Sequence, residues 1–247
     1  MSLIKEFSRD FHLTGGETGP EGEMPVSLAA ERVIEMATNH ADILGVGYEA
    51  MIQQNQAWVL SRLSIEMMRY PAVNDGYRLT TWVSSFNRRF SERDFEFSTL
   101  DGCPLGYART MWAAIDLSSR GVGELDIVTR LGEVIVDRPC PIAAIPRLGA
   151  VADDCRRSGY KFTYRDIDFN RHVNSVAYIR LLLDAWPLEH HDRYRVKRID
   201  TAYIHEAHYG DSVGLLVADD GDCRSQAELL DADGRPLTRF EVEWMTR

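Results

Sequence analysis

The pentapeptide Asp-Gly-x-Pro-Leu occurs twice in this chain, as Asp101-Gly102-Cys103-Pro104-Leu105 and as Asp233-Gly234-Arg235-Pro236-Leu237. The two copies are 132 residues apart, and the same offset carries Trp112 onto Trp244. Upstream, Asp75 in VNDGYRL resembles Asp211 in YGDSVGL at an offset of 136, which puts a four-residue indel between the anchors. One such pentapeptide is weak evidence, because many hairpins carry Asp-Gly. Three anchors at two nearly equal offsets imply two tandem copies of a unit of roughly 100–120 residues, an ordinary domain size.

Each copy reads as a helix followed by strands. In the second copy, Asn174-Ser175 is placed to cap a helix whose apolar residues Val176, Ile179, Leu182, Leu183 and Trp186 follow a 3.6-residue period, with Pro187 as its stop. RIDTAYIHEA, SVGLLVA, RSQAELLDA and PLTRFEVEWM then read as strands parted by Gly-Asp and Asp-Gly turns. In the first copy, residues 28–44 form an amphipathic helix. AWVLSRLSIEMM, YRLTTWVSSF, DFEFSTL and GYARTMWAAID are its strands. The stretch PCPIAAIPRLGA holds three prolines and suits a spacer. The division expected is an N-terminal repeat over 1–138, a linker over 139–155 and a C-terminal repeat over 156–247. The fold class expected is α+β, with one antiparallel sheet over each helix and the two sheets joined edge to edge so that fewer strand edges stay open.

Composition removes several functions. The formal charge of −10 argues against general nucleic-acid binding, which requires a basic face to displace counterions from phosphates. No apolar run approaches the roughly 18–20 residues of a membrane helix. The start, MSLIKEFSRDF, lacks the apolar core and small-residue cleavage site of a secretory leader. Four cysteines (Cys103, Cys140, Cys155, Cys223) are scattered without the CxxC spacing of metal or redox sites. These features predict a soluble cytoplasmic protein with free thiols and no cofactor.

The chemistry-bearing stretch is Tyr164-Arg165-Asp166-Ile167-Asp168-Phe169-Asn170-Arg171-His172-Val173-Asn174. Asp168, Asn170 and His172 alternate, so an extended backbone would point all three one way. The helix starting immediately afterwards offers free N–H groups and a positive dipole end to a carbonyl oxygen gaining charge. The plain alternative is that Asp168 and Asn170 only cap turns and His172 is an ordinary partly buried histidine. Glu206 is the second candidate. On a strand RIDTAYIHEA it would share a face with Asp200, Ala202 and Ile204, surroundings that disfavour a charged carboxylate and suit a general base; an exposed edge glutamate is the plain alternative.

A zinc reading of His205-Glu206-Ala207-His208 is refused, because the zinc-protease pattern needs two histidines four apart on one helical face. These are three apart on a strand and face opposite sides. His190-His191-Asp192 sits in a loop without a second ligand pair, so no metal is expected. No G-x-S-x-G elbow is present. Basic residues cluster at Arg88, Arg89 and Arg93, at Arg156, Arg157 and Lys161, and at Arg193, Arg195, Lys197 and Arg198. They read as solvated faces or as a docking surface for an acidic partner.

The second-copy segment resembles the acyl-acyl-carrier-protein thioesterases, whose pattern D-x-N-x-H-V-N-N-x-x-Y-I is met by Asp168-Phe169-Asn170-Arg171-His172-Val173-Asn174-Ser175-Val176-Ala177-Tyr178-Ile179. That family's Y-x-x-E-C is met by Tyr203-Ile204-His205-Glu206-Ala207, and Trp58-Val59-Leu60-Ser61-Arg62, Tyr70-Pro71 and Thr81-Trp82 extend the likeness into the first copy. The resemblance implies a double hot-dog fold and catalytic roles for Asp168, Asn170, His172 and Glu206. It implies hydrolysis of fatty acyl thioesters on acyl carrier protein, with the acyl-phosphopantetheine-bearing carrier as partner and homodimerisation left open. Ala207 stands where the family often has cysteine, so a thiol mechanism at that position is unavailable. Ser175 replaces the second asparagine and still suits a helix start. An acyl-coenzyme A thioesterase of the same fold and a non-enzymatic acyl-binding module are the competing readings.

Overall fold

A computed structural model describes residues 4–87, 89–119, 121, 132–151, 155–221 and 223–247. The chain divides into two compact units, Met1–Ile145 and Pro146–Arg247. In the first, β1 (Glu6–His12) precedes α1 (Val26–Ile43) and the short α2 (Tyr48–Gln53), followed by β2 (Gln56–Met67), β3 (Gly76–Phe86), β4 (Phe90–Thr99) and β5 (Pro104–Asp116). Its strands lie side by side in the order β1-β3-β4-β5-β2, every neighbour antiparallel.

The second unit repeats this order. β6 (Arg156–Lys161) precedes a 3₁₀ turn (Tyr164–Asp166), α3 (Ser175–Leu183) and the short α4 (Leu188–Arg193), and then come β7 (Tyr194–Tyr203), β8 (Ser212–Asp219), β9 (Arg224–Leu230) and β10 (Pro236–Thr246). Its strands run β6-β8-β9-β10-β7, the first unit's order with every index advanced by five. Each unit is a hot-dog fold, a helix wrapped by an antiparallel sheet, and the chain is a tandem of two.

The anchors of the repeat fall at equivalent structural points. Gly102 (φ 92°) and Gly234 (φ 80°) turn the chains into β5 and β10, a conformation glycine adopts without steric cost. Asp75 and Asp211 immediately precede β3 and β8. The Asp75 carboxylate accepts the Ala72 backbone N–H at 2.9 Å, and the Asp211 carboxylate accepts that of His208 at 2.8 Å.

The alternation of β8 buries Val213, Leu215 and Val217 on one face, and α3 buries Val176, Ile179 and Leu182. Each such side chain contributes about 1.5–3 kcal/mol through removal from water. Among the described residues, no helix is long and apolar enough to cross a membrane.

The structure corrects several expectations. A strand precedes the helix in each unit, so neither is simply a helix followed by a meander. β1 and β6 were illegible because β6 (RRSGYK) is almost wholly exposed and β1 buries none of its seven residues fully, as suits sheet-end strands. His190 and His191 lie on α4 rather than in a loop. The His190 ring is 4.5 Å from the Trp244 ring, and His191 Nε2 lies 3.1 Å from the Leu183 carbonyl oxygen. The first helix begins at Val26, before residue 28. β7 ends at Tyr203, so Ile204 to Ala207 lie beyond the strand.

Candidate active site

The second unit builds the site from two backbone segments stitched to each other. One is the turn before α3. Asp168 N–H donates to the His172 carbonyl (2.8 Å), Arg171 N–H to the Asp168 carbonyl (3.1 Å), and Ile167 and Val173 form an isolated antiparallel bridge. The other is the segment after β7. Val173 N–H donates to the Ala207 carbonyl (2.8 Å), and His172 pairs with His208 in a second isolated bridge.

This geometry overturns the extended reading of Asp168, Asn170 and His172. The chain folds back at Asn170–Arg171, with Arg171 in the left-handed region (φ 69°). The reason is local. Asp168 Oδ1 accepts the backbone N–H groups of Asn170 (2.8 Å) and His172 (3.1 Å), the aspartate-turn arrangement that competes with extended backbone. Asp168 therefore acts on its two neighbours through their main chain. Asn170 is exposed at the tip, and His172 is half-buried.

Below this turn, Asp166, which the sequence reading passed over, is a fixed point. Its Oδ2 accepts from Thr163 N–H (2.7 Å), Thr163 Oγ1 (2.8 Å) and Tyr160 Oη (2.9 Å), while its carbonyl accepts from Asn174 N–H (2.7 Å). Asn174 caps α3 as expected, its Oδ1 accepting Val176 N–H at 2.8 Å. That cap consumes one of the N–H groups expected to receive an oxyanion. Ser175 N–H remains at the helix head without an acceptor among the described residues. Tyr203 Oη donates to the Ser175 carbonyl at 3.1 Å. Tyr178, edge-on to Phe162, lies beneath the site, and burial pushes the phenols of Tyr178 and Tyr203 upward.

Glu206 meets His172 here: Oε2 and Nε2 are 3.5 Å apart, with side-chain exposures of 35% and 28%. Glu206 is thus reachable by water and off the strand face it was expected to share with Asp200. Asp200 is buried and takes a two-point contact from Arg198, at 2.8 Å for each bond. The bulge that redirects Glu206 is visible in the Leu237 carbonyl, which accepts from both Ile204 N–H (2.9 Å) and His205 N–H (3.2 Å). His205 leaves toward Pro236, its Nδ1 lying 2.7 Å from that carbonyl.

His208 is the residue the sequence reading missed. Its ring is edge-on to His172 with centroids 5.2 Å apart, and ligand atoms of His172, Glu206 and His208 all lie within 4.8 Å of one another. The signal was present, since residues 206 and 208 are two apart in extended backbone and share a side. His205, the other histidine of the His205-Glu206-Ala207-His208 run, turns away to the Pro236 carbonyl and is not part of this group.

The first unit carries the same scaffold without the chemistry. Gly19 N–H donates to the Glu23 carbonyl (2.9 Å), Gly22 N–H to Gly19 (3.0 Å) and Met24 N–H to Pro71 (2.9 Å), while Glu23 bridges Ala72. These repeat the bonds of Asp168, Arg171, Val173 and His172 one for one. Gly19, Glu21, Glu23, Tyr70 and Ala72 therefore occupy the positions of Asp168, Asn170, His172, Glu206 and His208.

Of the basic clusters, Arg88 lies outside the described residues, and Arg93 is buried with its guanidinium donating to His40 Nδ1 (2.8 Å). Arg198 is buried on Asp200, and Lys197 pairs with Glu243 at 2.8 Å. Arg156 pairs with Asp219 at 2.9 Å. Arg157 and Lys161 stay exposed on β6.

Comparison with known proteins agrees with this architecture. Models of the acyl-ACP thioesterase N-terminal and C-terminal domains match residues 4–127 and 150–246. A chloroplastic palmitoyl-acyl carrier protein thioesterase of Arabidopsis thaliana is 26% identical over 266 residues, covering 98% of this chain and 64% of that protein. The chain thus spans less than two thirds of that relative's length. An acyl-ACP thioesterase structure from Bacteroides thetaiotaomicron superposes with a TM-score of 0.92 at 28% identity, covering 98% of each chain. The fold is shared with a 12:0-ACP thioesterase of Umbellularia californica, at a TM-score of 0.89 and 19% identity, over 99% of this chain and 98% of that one.

Proposed function

The chain belongs to the acyl-ACP thioesterase family, and we propose that it hydrolyses fatty acyl thioesters carried on acyl carrier protein, releasing fatty acid and the carrier's free thiol. The observation that carries the mechanism is the approach of Glu206 Oε2 to His172 Nε2 at 3.5 Å beside the head of α3. Glu206 takes a proton from water as the water oxygen attacks the thioester carbonyl carbon. The carbonyl oxygen becomes an oxyanion, received by the Asn170 side-chain amide and Ser175 N–H. Collapse of the tetrahedral species breaks the C–S bond, and the proton held by Glu206 passes through His172 to the departing thiolate. Each proton transfer is worth ~10²–10⁴ in rate. Asp168 is a positioning residue that fixes the turn through two main-chain bonds.

The N-terminal repeat, over 1–138, binds the acyl chain, and the C-terminal repeat, over 156–247, performs the hydrolysis. Support for this division is the first unit's replacement of His172 and Glu206 by Glu23 and Tyr70 at equivalent positions. A reducing aqueous compartment such as the cytoplasm suits the four free thiols. The test is hydrolysis of one acyl group presented on acyl carrier protein and on coenzyme A, across a ladder of chain lengths. A specificity constant at least tenfold higher on the carrier protein is expected; equal or reversed preference favours the coenzyme A reading, and no hydrolysis on either favours an acyl-binding module.

A further inference from the structure

We infer that His172, Glu206 and His208 form a reversible Zn²⁺ site whose occupation switches hydrolysis off. The inference rests on the proposed use of Glu206 and His172 in that hydrolysis. Two imidazole nitrogens and one carboxylate oxygen are a donor set that zinc takes with a fourth position left to water. The three ligand atoms already lie within 4.8 Å of one another, and the His172–Glu206 pair stands at 3.5 Å. A tetrahedral zinc with bonds of about 2.0–2.1 Å holds its ligand atoms about 3.3 Å apart. The closure required falls on His208, whose side chain is 56% exposed.

Two further features favour a site over a chance cluster. The backbones of His172 and His208 are fixed to each other by their bridge and by the 2.8 Å bond from Val173 to Ala207. Asp211, whose carboxylate accepts the His208 N–H at 2.8 Å, stands 3.8 Å from His208 Nδ1. That placement sets a carboxylate beside the His208 ring, the usual outer partner of a metal-bound histidine. The first unit has Ala72 in place of His208, and its scaffold does not carry the site. Zinc would occupy the lone pairs that Glu206 and His172 need for proton transfer, so binding and hydrolysis exclude each other.

The test uses the full chain after chelator dialysis. Co²⁺ titration is expected to give visible ligand-field bands of a tetrahedral site, saturating at one equivalent and abolished by Zn²⁺. His208→Ala and Glu206→Gln should each weaken Co²⁺ binding by roughly 100-fold, with circular dichroism unchanged. Zn²⁺ should inhibit the wild type reversibly, with EDTA restoring turnover, and His208→Ala should require roughly 100-fold more zinc for the same fractional loss. Absence of stoichiometric Co²⁺ binding, binding indifferent to His208→Ala, or activation by zinc would overturn the inference. Stoichiometric binding through His208 in a protein without thioesterase activity would overturn the switch, and the failure would then lie with the hydrolase reading.

Discussion

Tyr70 in the first unit and Glu206 in the second occupy one structural position, each two residues before the member of an isolated bridge that pairs with the turn ahead of the helix. Tyr70 is buried, whereas Glu206 reaches water and His172. The two units therefore share one scaffold, and the His172, Glu206 and His208 set stands on the second.

The same comparison sets Gly22 against Arg171, with φ of 72° and 69°. A non-glycine residue held in the left-handed region costs about 1 kcal/mol or more. Arg171→Gly should raise stability by up to about 1 kcal/mol, and Arg171→Val should lower it, as measured by chemical denaturation. Equal stabilities for the three proteins would show that the turn is not strained.

Two buried groups in the first unit give stability opposite pH dependences. Burial pushes the Asp94 carboxyl up to about 6, against the pull of Arg109 at 3.7 Å. The native state therefore holds that proton more tightly, and the contribution is complete below about 4 and lost as pH rises through 6. Burial, aided by Arg93, pushes His40 down to about 4, so its contribution is complete above about 6.5 and lost as pH falls through 4. Asp94→Asn should stabilise increasingly from pH 4 to 7, by at most about 3 kcal/mol at neutrality. His40→Gln should reduce the acid loss. Stability differences from wild type that stay flat over pH 4–7 would contradict both assignments.

Carrier recognition should depend on Arg157 and Lys161, exposed and four apart on β6, hence on one side of the strand. Reversing both charges should raise KM for carrier-bound substrate several-fold and leave a small soluble thioester nearly unaffected. Salt from about 50 to 500 mM should act in the same direction, since it shortens the Debye length well below 10 Å. Parallel effects on the two substrates would make these residues solvated surface.

The repeat, the α3 cap and eight of the strands were legible because apolar period and turn chemistry are local signals. β1 and β6 carry little apolar pattern and take their place from pairing with β3 and β8. The D-x-N-x-H block was legible as chemistry but not as geometry, because Asp168 bonds main-chain N–H groups and folds the segment back. His208 was not legible as a partner of His172, because His172 lies 36 residues upstream and only the fold brings the two together. The burial of Arg93 and Arg198 likewise depended on partners that the basic runs do not reveal.

The proposed hydrolysis stands on Glu206, beside His172, moving the proton of the attacking water. Glu206→Gln keeps the shape of the side chain and removes its basicity, so steady-state hydrolysis of an acyl-carrier substrate by metal-free protein tests it directly. Turnover should fall by roughly 10²-fold or more, with KM changed little and the fold intact by circular dichroism. A Glu206→Gln protein turning over at near the wild-type rate would contradict the claim and leave His172 or Asp168 as the base.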